Sequence, residues 1–461
     1  MRFQMQRWVG LVLLVLMVAP LSAQTPAMRA RIDGMVDALN GTLEEFDRYA
    51  QQAFTPAMLE RMTAEKRRAM HEMVRQDFGK ITVQKLERVS ETRVSVSIAG
   101  STGARGTLGL AHEVAEPHKL TGLRFEMDDP DAVPVPVNGK MSAEQLSAAL
   151  DPYLGELTKN DRFAGTVLIA RDGKPLFEKA YGLADRSFGV PNTIQTRYNI
   201  GSINKHFTRI ALGQLISAGK LSPADTVAKH LPDYPNAAGR NTTIQQLVDM
   251  EGGVADFFGP EFTREGKQRF RTNRDYYDWV APKELLFAPG SRKQYCNGCY
   301  IVLGEVVSRV TGMPYEKFVE ENVLRRGGLQ SAAFIFSDAI VPNVATGYTQ
   351  RENLPLHSNV LMRGVGPSAA GGAYATARDL FALDEGLRTG KMLDPERTAW
   401  FFGADKPFAG RAAVEVQYGG GAPGINVSVK GGSTWTVVVM ANLDPPTASD
   451  LSESIYQALT K

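Results

Sequence analysis

The sequence is poor in the residues that build metal and redox centres. It holds two cysteines and six histidines in 461 residues. The histidines (His71, His112, His118, His206, His230 and His357) show no ligand spacing with one another or with the cysteines, which argues against a metal site. Cys296 and Cys299 form C-x-x-C without the strand–helix–strand setting of a thioredoxin-type centre. A local disulfide and two small buried thiols both remain open. A surplus of one charge is also missing. The formal net charge is +2, and no run of Lys and Arg marks a nucleic-acid surface. Beyond residues 8–19 no apolar stretch is long enough to cross a bilayer, so stable membrane insertion is not expected of the mature chain. The G-x-S-x-G elbow is absent, and no histidine has the setting of a triad base, so an α/β-hydrolase reading has no support.

What is present begins with a leader. Arg2 and Arg7 precede the apolar run Trp8–Ala19, and Leu21-Ser22-Ala23 offers a small residue for cleavage. We expect residues 1–23 to be a secretory signal peptide and the mature protein to be secreted, to a bacterial periplasm; the alternative is an uncleaved anchor. No cysteine follows Ala23 to carry a lipid. Without Arg2 and Arg7, 52 basic side chains become 50, against 50 acidic ones.

Two periodicities divide the rest. Ile32, Met35, Val36 and Leu39, then Met58, Leu59, Met62, Met70, Met73 and Val74, recur at helical spacing. Ile81-Val83, Val94-Val96-Ile98, Leu108-Leu110 and Leu120-Leu123-Phe125 then alternate with period two. Helices followed by a meander predict a small α+β domain over 24–128, and the order resembles the NTF2-like fold. The methionine stripe is read as core. The Pro-rich stretch 129–141 is expected to be a semi-rigid linker. A second domain, 142–461, opens with an amphipathic helix from Ser142 to Leu157 and a hairpin turning at Asp172-Gly173. Helices and irregular loops fill roughly 240–400. Strands return at Val414–Tyr418, Ile425–Val429 and Thr434–Asn442, and a helix closes the chain over Leu451–Leu459. Strands at both ends of a helical middle predict one sheet assembled from the two termini.

The stretch with chemistry in it is Asn199-Ile200-Gly201-Ser202-Ile203-Asn204-Lys205. A helix opening on Ser202 places Lys205 on the same face three residues on. A lysine that loses its proton by desolvation can activate such a hydroxyl. Phe207, Ile210, Ala211, Leu215 and Ile216 give that helix a face to bury. S-x-x-K recurs at Ser217–Lys220, where Gly219 ends the helix, and that copy reads as a solvated cap. His206 reads as a packing residue. Further along, Tyr295-Cys296-Asn297 offers a phenol that can relay a proton and an amide that can orient a carbonyl. Tyr418-Gly419-Gly420-Gly421 ends a strand with glycines that let a substrate approach backbone N–H groups.

In this order the motifs resemble the serine β-lactamase superfamily, in its branch of class C β-lactamases, D-alanyl-D-alanine carboxypeptidases and related esterases. The resemblance covers roughly 145–461. It includes the segment from Gly219-Lys220-Leu221-Ser222 to Leu231-Pro232-Asp233 and the loop Gly371-Gly372 through Ala375-Thr376-Ala377-Arg378-Asp379-Leu380. It implies an antiparallel sheet flanked by helices, an all-α subdomain, and a site between them. Ser202 would be the nucleophile, Lys205 and Tyr295 would share acid–base work, and Asn297, Tyr418, Gly420 and Gly421 would bind substrate. No cofactor is required; the expected partner is a small ester, amide or peptide. Two departures stand out. Tyr418 occupies the place of the basic residue of K-T-G or H-x-G, and Met250-Glu251-Gly252-Gly253 stands where many relatives have H-T-S-G. Arg388-Thr389-Gly390 imitates the former but reads as a helix C-cap. An uncharged Tyr418 favours an esterase over a β-lactamase or carboxypeptidase; a different outcome is an inactive binding protein.

Overall fold

In a computed structural model, the structure describes residues 26–90, 92–113, 117–127, 134–259, 261–262, 267–350 and 354–461. The expected leader, residues 1–23, lies outside them. The chain divides into two compact units, Met1–Val133 and Pro134–Lys461.

In the first unit, helices α1 (Pro26–Asn40), α2 (Leu43–Ala53), α3 (Pro56–Arg61) and α4 (Ala64–Asp77) precede strands β1 (Ile81–Ser90), β2 (Arg93–Gly100), β3 (Arg105–His112) and β4 (Leu120–Met127). The strands pair antiparallel in sequence order. Thr42, Thr55 and Thr63 each accept a hydrogen bond at the start of a helix. Ile32, Met35 and Leu39 bury against Val96, Ile98 and Leu108.

In the second unit, α5 (Ala143–Lys159) starts from a capping box of Ser142 and Gln145. Strands β5 (Gly165–Arg171) and β6 (Lys174–Tyr181) form the first hairpin. The strands Val416–Ala422, Ile425–Gly431 and Trp435–Ala441 complete a five-stranded sheet. The Trp435–Ala441 strand joins β5 antiparallel, with Val438 opposite Leu168, so the two ends of the unit do build one sheet. Alternation gives that sheet two buried faces. Val167, Ile169, Val437 and Val439 meet α5 and the Thr447–Thr460 helix through Leu146, Leu150, Ile455 and Leu459. Leu168, Ala170, Val438 and Met440 meet the larger core, which surrounds helix α6 (Asn204–Ser217). Strands covered on both sides read as near-continuous apolar runs, as Trp435–Ala441 does.

Residues 134–141 differ from the linker expected of them. They pack as part of the second unit, with Val137 buried beside Leu146 and Trp435, because a Pro-rich strap can still bury its valines against a sheet. Of the two S-x-x-K copies, the second ends α6. There Ser217 donates to the Gly213 carbonyl and hydrogen-bonds Asp394, and Gly219 takes φ +67°. The Arg388-Thr389-Gly390 stretch ends the helix Ala377–Arg388, with Thr389 as its C-cap.

Arg388 and Asp384 form an ion pair on that helix, Nε to Oδ2 2.8 Å, with both side chains fully buried. Arg388 also donates to the Ala412 and Val414 carbonyls at 3.0 and 2.7 Å, tying the helix to the segment entering the sheet. Removing one partner of a buried pair strands the other charge. Arg388→Met is therefore expected to lower stability by about 3–5 kcal/mol. Asp384→Leu/Arg388→Met is expected to recover a large part of that loss. Chemical denaturation of the three proteins checks both; an unchanged midpoint for the single variant would refute the expectation.

Candidate active site

The site is assembled where α6 begins. A short ladder pairs Tyr198 and Asn199 with Ala375 and Tyr374, laying the glycine loop beside the serine turn. Ile200 N donates to the Ala373 carbonyl at 2.8 Å, and Asn199 Oδ1 accepts from Gly201 N at 2.9 Å. Gly201 takes φ +49°, a conformation that favours glycine, and a 3-10 turn (Gly201–Ile203) carries Ser202 into the helix. Phe207, Ile210, Ala211 and Leu215 are buried, Ile216 partly, and Thr208 and Leu212 are buried too. Core therefore surrounds α6 rather than flanking one stripe of it, and its first turn is held rigidly.

Lys205 is 4% exposed. Its Nζ lies 2.6 Å from the Ala370 carbonyl, 2.7 Å from Asn297 Oδ1, 2.8 Å from Tyr295 Oη and 3.2 Å from Ser202 Oγ. The Ser202 and Tyr295 hydroxyls are themselves hydrogen-bonded. Asn297 Nδ2 donates to Asp256 Oδ2 at 2.8 Å, so its Oδ1 must face the lysine. Two of the four neighbours of Nζ are pure acceptors. In a neutral amine they take both N–H groups, and the lone pair is left facing the two hydroxyls. Burial pulls the Lys205 pKa down to about 7, while the Asp256 carboxylate opposes that shift. Desolvation outweighs the carboxylate. Desolvation also raises the Tyr295 phenol, and its bond to Ser202 pulls the other way. The Tyr295 residue is nonetheless 55% exposed, its ring standing at the cleft mouth while its hydroxyl is turned inward.

Cys296 and Cys299 are joined in a disulfide with Cα atoms 5.3 Å apart. Cys296 is the N-cap of the helix Asn297–Thr311, so the bridge closes the turn that presents Tyr295 and Asn297.

The Val416–Ala422 strand stands at the edge of the sheet. Its two-residue turn, Pro423-Gly424, makes Ala422 and Ile425 the closing pair, which in such hairpins is hydrogen-bonded. Alternation then leaves the N–H groups of Gly421 and Gly419 pointing off the open edge. Gly419, Gly421 and Ser202 line a cleft of about 360 Å³ together with Tyr295, Asn297, Phe257, Phe258 and Arg363.

Two residues expected at the cleft are elsewhere. Tyr418 and Gly420 sit on the other face of the edge strand, as period two demands once Gly419 and Gly421 face the cleft. The Tyr418 ring packs against His206 with centroids 4.3 Å apart, and its hydroxyl is buried without a partner. His206 is a packing residue, kept neutral by burial that takes its pKa to about 3. Gly420 serves close approach: a Cβ there would lie 2.0 Å from the Ile200 carbonyl oxygen and 3.2 Å from Ser202 N. Asp256, the Ala370 carbonyl, Phe257, Phe258 and Arg363 carry no motif signal and escaped sequence reasoning. Among the described residues no cluster of His, Cys, Asp and Glu could hold a metal ion.

A family model described as Beta-lactamase matches residues 149–460. The chain belongs to that family. The match assigns it to a family of serine hydrolases and sets the motif order of its second unit in that context. Relatives similar to this beta-lactamase family chain include a protein named as a penicillin-binding protein in Bacillus subtilis, 27% identical over 55% of this chain and 62% of that one. Esterase EstB of Burkholderia gladioli is 27% identical over 57% of this chain and 76% of its own length. Among solved structures, a penicillin binding protein from Bacillus halodurans is 28% identical with a TM-score of 0.59, over 66% of this chain and 98% of that one. The chain thus spans less than two thirds of the Bacillus subtilis relative.

Gly420→Ala puts a methyl group against backbone that cannot yield, and is expected to lower stability by about 1–3 kcal/mol. Gly419→Ala meets nothing within 4 Å and is the matched control. Thermal unfolding of both checks this; equal melting temperatures would remove the close-approach argument.

Proposed function

We propose that this protein is a serine hydrolase that cleaves an ester or amide through an acyl-enzyme on Ser202. The observation that carries the reading is a buried lysine, with its pKa near 7, facing the Ser202 and Tyr295 hydroxyls. Ser202 Oγ attacks the carbonyl while its proton passes to the Lys205–Tyr295 pair. The N–H groups of Ser202 and Gly421 receive the developing oxyanion, each worth about 3–4 kcal/mol by analogy with other hydrolases. The same pair returns the proton to the leaving group. Water then attacks the acyl carbonyl, gives a proton to the pair, and Ser202 is released with its proton restored. Asn297 holds both Lys205 and the substrate carbonyl side.

An esterase is favoured over a β-lactamase or a D-alanyl-D-alanine carboxypeptidase. Tyr418 brings no charge to the strand side, and Phe257, Phe258, Tyr276 and Ile335 make the cleft lining apolar. The Esterase EstB similarity fits this reading. The arrangement of Lys205 around Ser202 speaks against an inactive binding protein.

We further propose that the chain is exported to the periplasm, on the Arg2–Ala23 leader pattern and the Cys296–Cys299 bridge. For residues 24–128 we propose an NTF2-like domain, on the helix-then-meander order alone. Fractionation of cells tests the first, and an experimental structure with a flat, uncurled sheet would remove the second.

A fluorophosphonate probe is expected to label the wild type and not Ser202→Ala; no labelling, or equal labelling, overturns the acyl-enzyme. p-Nitrophenyl butyrate should turn over faster than a cephalosporin. Neutral Lys205 is the working form, so kcat/KM should be present above about pH 7 and fall away below it. Because the Asp256 charge raises the lysine pKa, Asp256→Asn should move that midpoint to lower pH. A midpoint unmoved or raised would show that the limb belongs to another group.

A further inference from the structure

The two cysteines of the chain are bonded to each other inside the motif that carries Tyr295 and Asn297. Cys296 stands between those two residues, whose Oη and Oδ1 lie 2.8 and 2.7 Å from Lys205 Nζ. Residues 292–296 have no regular structure, so Tyr295 reaches the amine from the end of an irregular run. The bridge anchors that run to the first turn of the helix Asn297–Thr311, where Cys299 N also donates to Cys296 Sγ at 3.0 Å. The sulfurs touch a second segment as well. Cys296 Sγ lies 3.4 Å from the Val254 carbonyl oxygen, and a Cβ on Gly252 would lie 3.2 Å from Cys299 Sγ. Gly298 packs on the same segment so closely that a Cβ there would lie 2.2 Å from the Ala255 carbonyl oxygen. That segment leads into Asp256, which accepts from Asn297 Nδ2 and so turns the amide toward Lys205. The bridge thus sits where the two segments that orient Asn297 meet.

A disulfide stabilises a fold more, the longer the loop that it closes. Cys296 and Cys299 are separated by 3 positions. So short a loop adds little to global stability, and the effect of the bridge is local. We propose that Cys296 and Cys299 are positioning residues whose bridge makes the site active in the oxidised chain and weak in the reduced one. This deepens the hydrolase reading above and rests on it. The reductant is a small dithiol. The S–S bond breaks, two S–H bonds form on the protein, and the dithiol leaves as its own cyclic disulfide, having given up two electrons and two protons. Both cysteines are buried, so the exchange runs through local opening of the turn. With the bridge open, the two side chains turn independently, and Tyr295 and Asn297 lose their fixed distance from Nζ. An error of about 1 Å in such a placement costs on the order of 100-fold in rate. A looser turn also admits water to Nζ, and burial is the main cause of its lowered pKa. Among the described residues, the titratable and charged groups around that amine are Asp256, Tyr295, Tyr300, His206 and Arg209. None of them changes charge when the bridge opens.

The test compares the oxidised wild type with Cys296→Ser/Cys299→Ala, in which a serine oxygen keeps the helix cap and the bridge is gone. Alkylation in denaturant followed by mass spectrometry counts the thiols, and the oxidised wild type is expected to show none. With p-nitrophenyl butyrate, the variant is expected to lose about 10- to 100-fold in kcat/KM, chiefly through kcat. The acid limb of its pH profile should move to higher pH, since a better hydrated Lys205 holds its proton longer. Its melting temperature should fall by less than about 5 °C, because the closed loop is short. Wild type treated with dithiothreitol until two thiols are counted should match the variant, and reoxidation should restore it. The variant itself should not respond to the reductant. This reduction arm carries the test if the variant folds poorly. The proposal is overturned if the wild type purified from an oxidising compartment carries free thiols, or if the variant and the reduced protein keep the wild-type kcat and pH profile. It is overturned equally if activity falls only in step with the melting temperature, the mark of a merely structural bridge. If the oxidised wild type neither turns over the ester nor takes a fluorophosphonate label, the hydrolase reading fails and this proposal falls with it. Turnover that ignores the state of the bridge removes this proposal alone.

Discussion

The site depends on a lysine taken out of water without a salt bridge of its own among the described residues. Lys205 sits at the first turn of a helix with core on every side, and its amine meets two carbonyl oxygens and two hydroxyls but no carboxylate. Burying an ammonium is expensive, and the protein relieves the cost by letting the proton leave. The sign is definite. The unfolded chain holds this proton up to the ordinary lysine value of 10.5, and the folded chain releases it at about 7. Between those values the unfolded state binds more protons, so this group makes stability rise with pH across that window. Near neutrality the fold is therefore weakened by the feature that gives Ser202 a base, a trade expected at functional sites.

Holding that amine requires several separate segments to agree. Asn204 Nδ2 donates to the Ser368 carbonyl, Thr208 Oγ1 donates to the Ala369 carbonyl, and Ala369 N donates to Asn273 Oδ1. These bonds present the Ala370 carbonyl to Nζ. On the opposite side, Asp256 turns the Asn297 amide and the Cys296–Cys299 bridge closes its turn. The serine turn is in turn pressed against the edge strand, where only a glycine at 420 clears the Ile200 carbonyl. Most of these segments are loops or element ends. Their rigidity comes from these bonds and from the α6 core behind them, not from regular structure of their own.

The legible parts of the molecule are those written locally. Period two in Val94–Ile98, the apolar run Gly165–Ala170 ahead of the Asp172-Gly173 turn, the helix start at Ser142 and the spacing of Ser202 and Lys205 all express short-range geometry, and the elements formed where that geometry placed them. Four site residues were readable for the same reason: Ser202, Lys205 and the Tyr295–Asn297 pair sit in compact motifs. Asp256 and Ala370 were not, because each acts through a partner 40 or more residues away and has no spacing to betray it. Tyr418 and Gly420 were misplaced by a parity argument. A strand's glycine run announces close approach, but which alternate residues face the cleft depends on how the turn at Pro423-Gly424 registers the hairpin.

That parity also answers why a cation can be dispensed with at position 418. A positive charge there would have to sit where the Tyr418 ring now lies, against His206 and under α6, in a space that is already dry. Such a charge would depress the Lys205 pKa by repulsion, but it would itself need a counter-ion after losing its water. The aromatic pair removes that requirement, with His206 neutral, although the Arg209 charge lies close enough to act on both rings. Desolvation then accomplishes by exclusion of water what a neighbouring ammonium would accomplish by Coulomb repulsion, because both destabilise the same protonated amine. The two devices differ in what they leave in the cleft. A strand ammonium would add a fixed positive charge close to the nucleophile, whereas burial adds none.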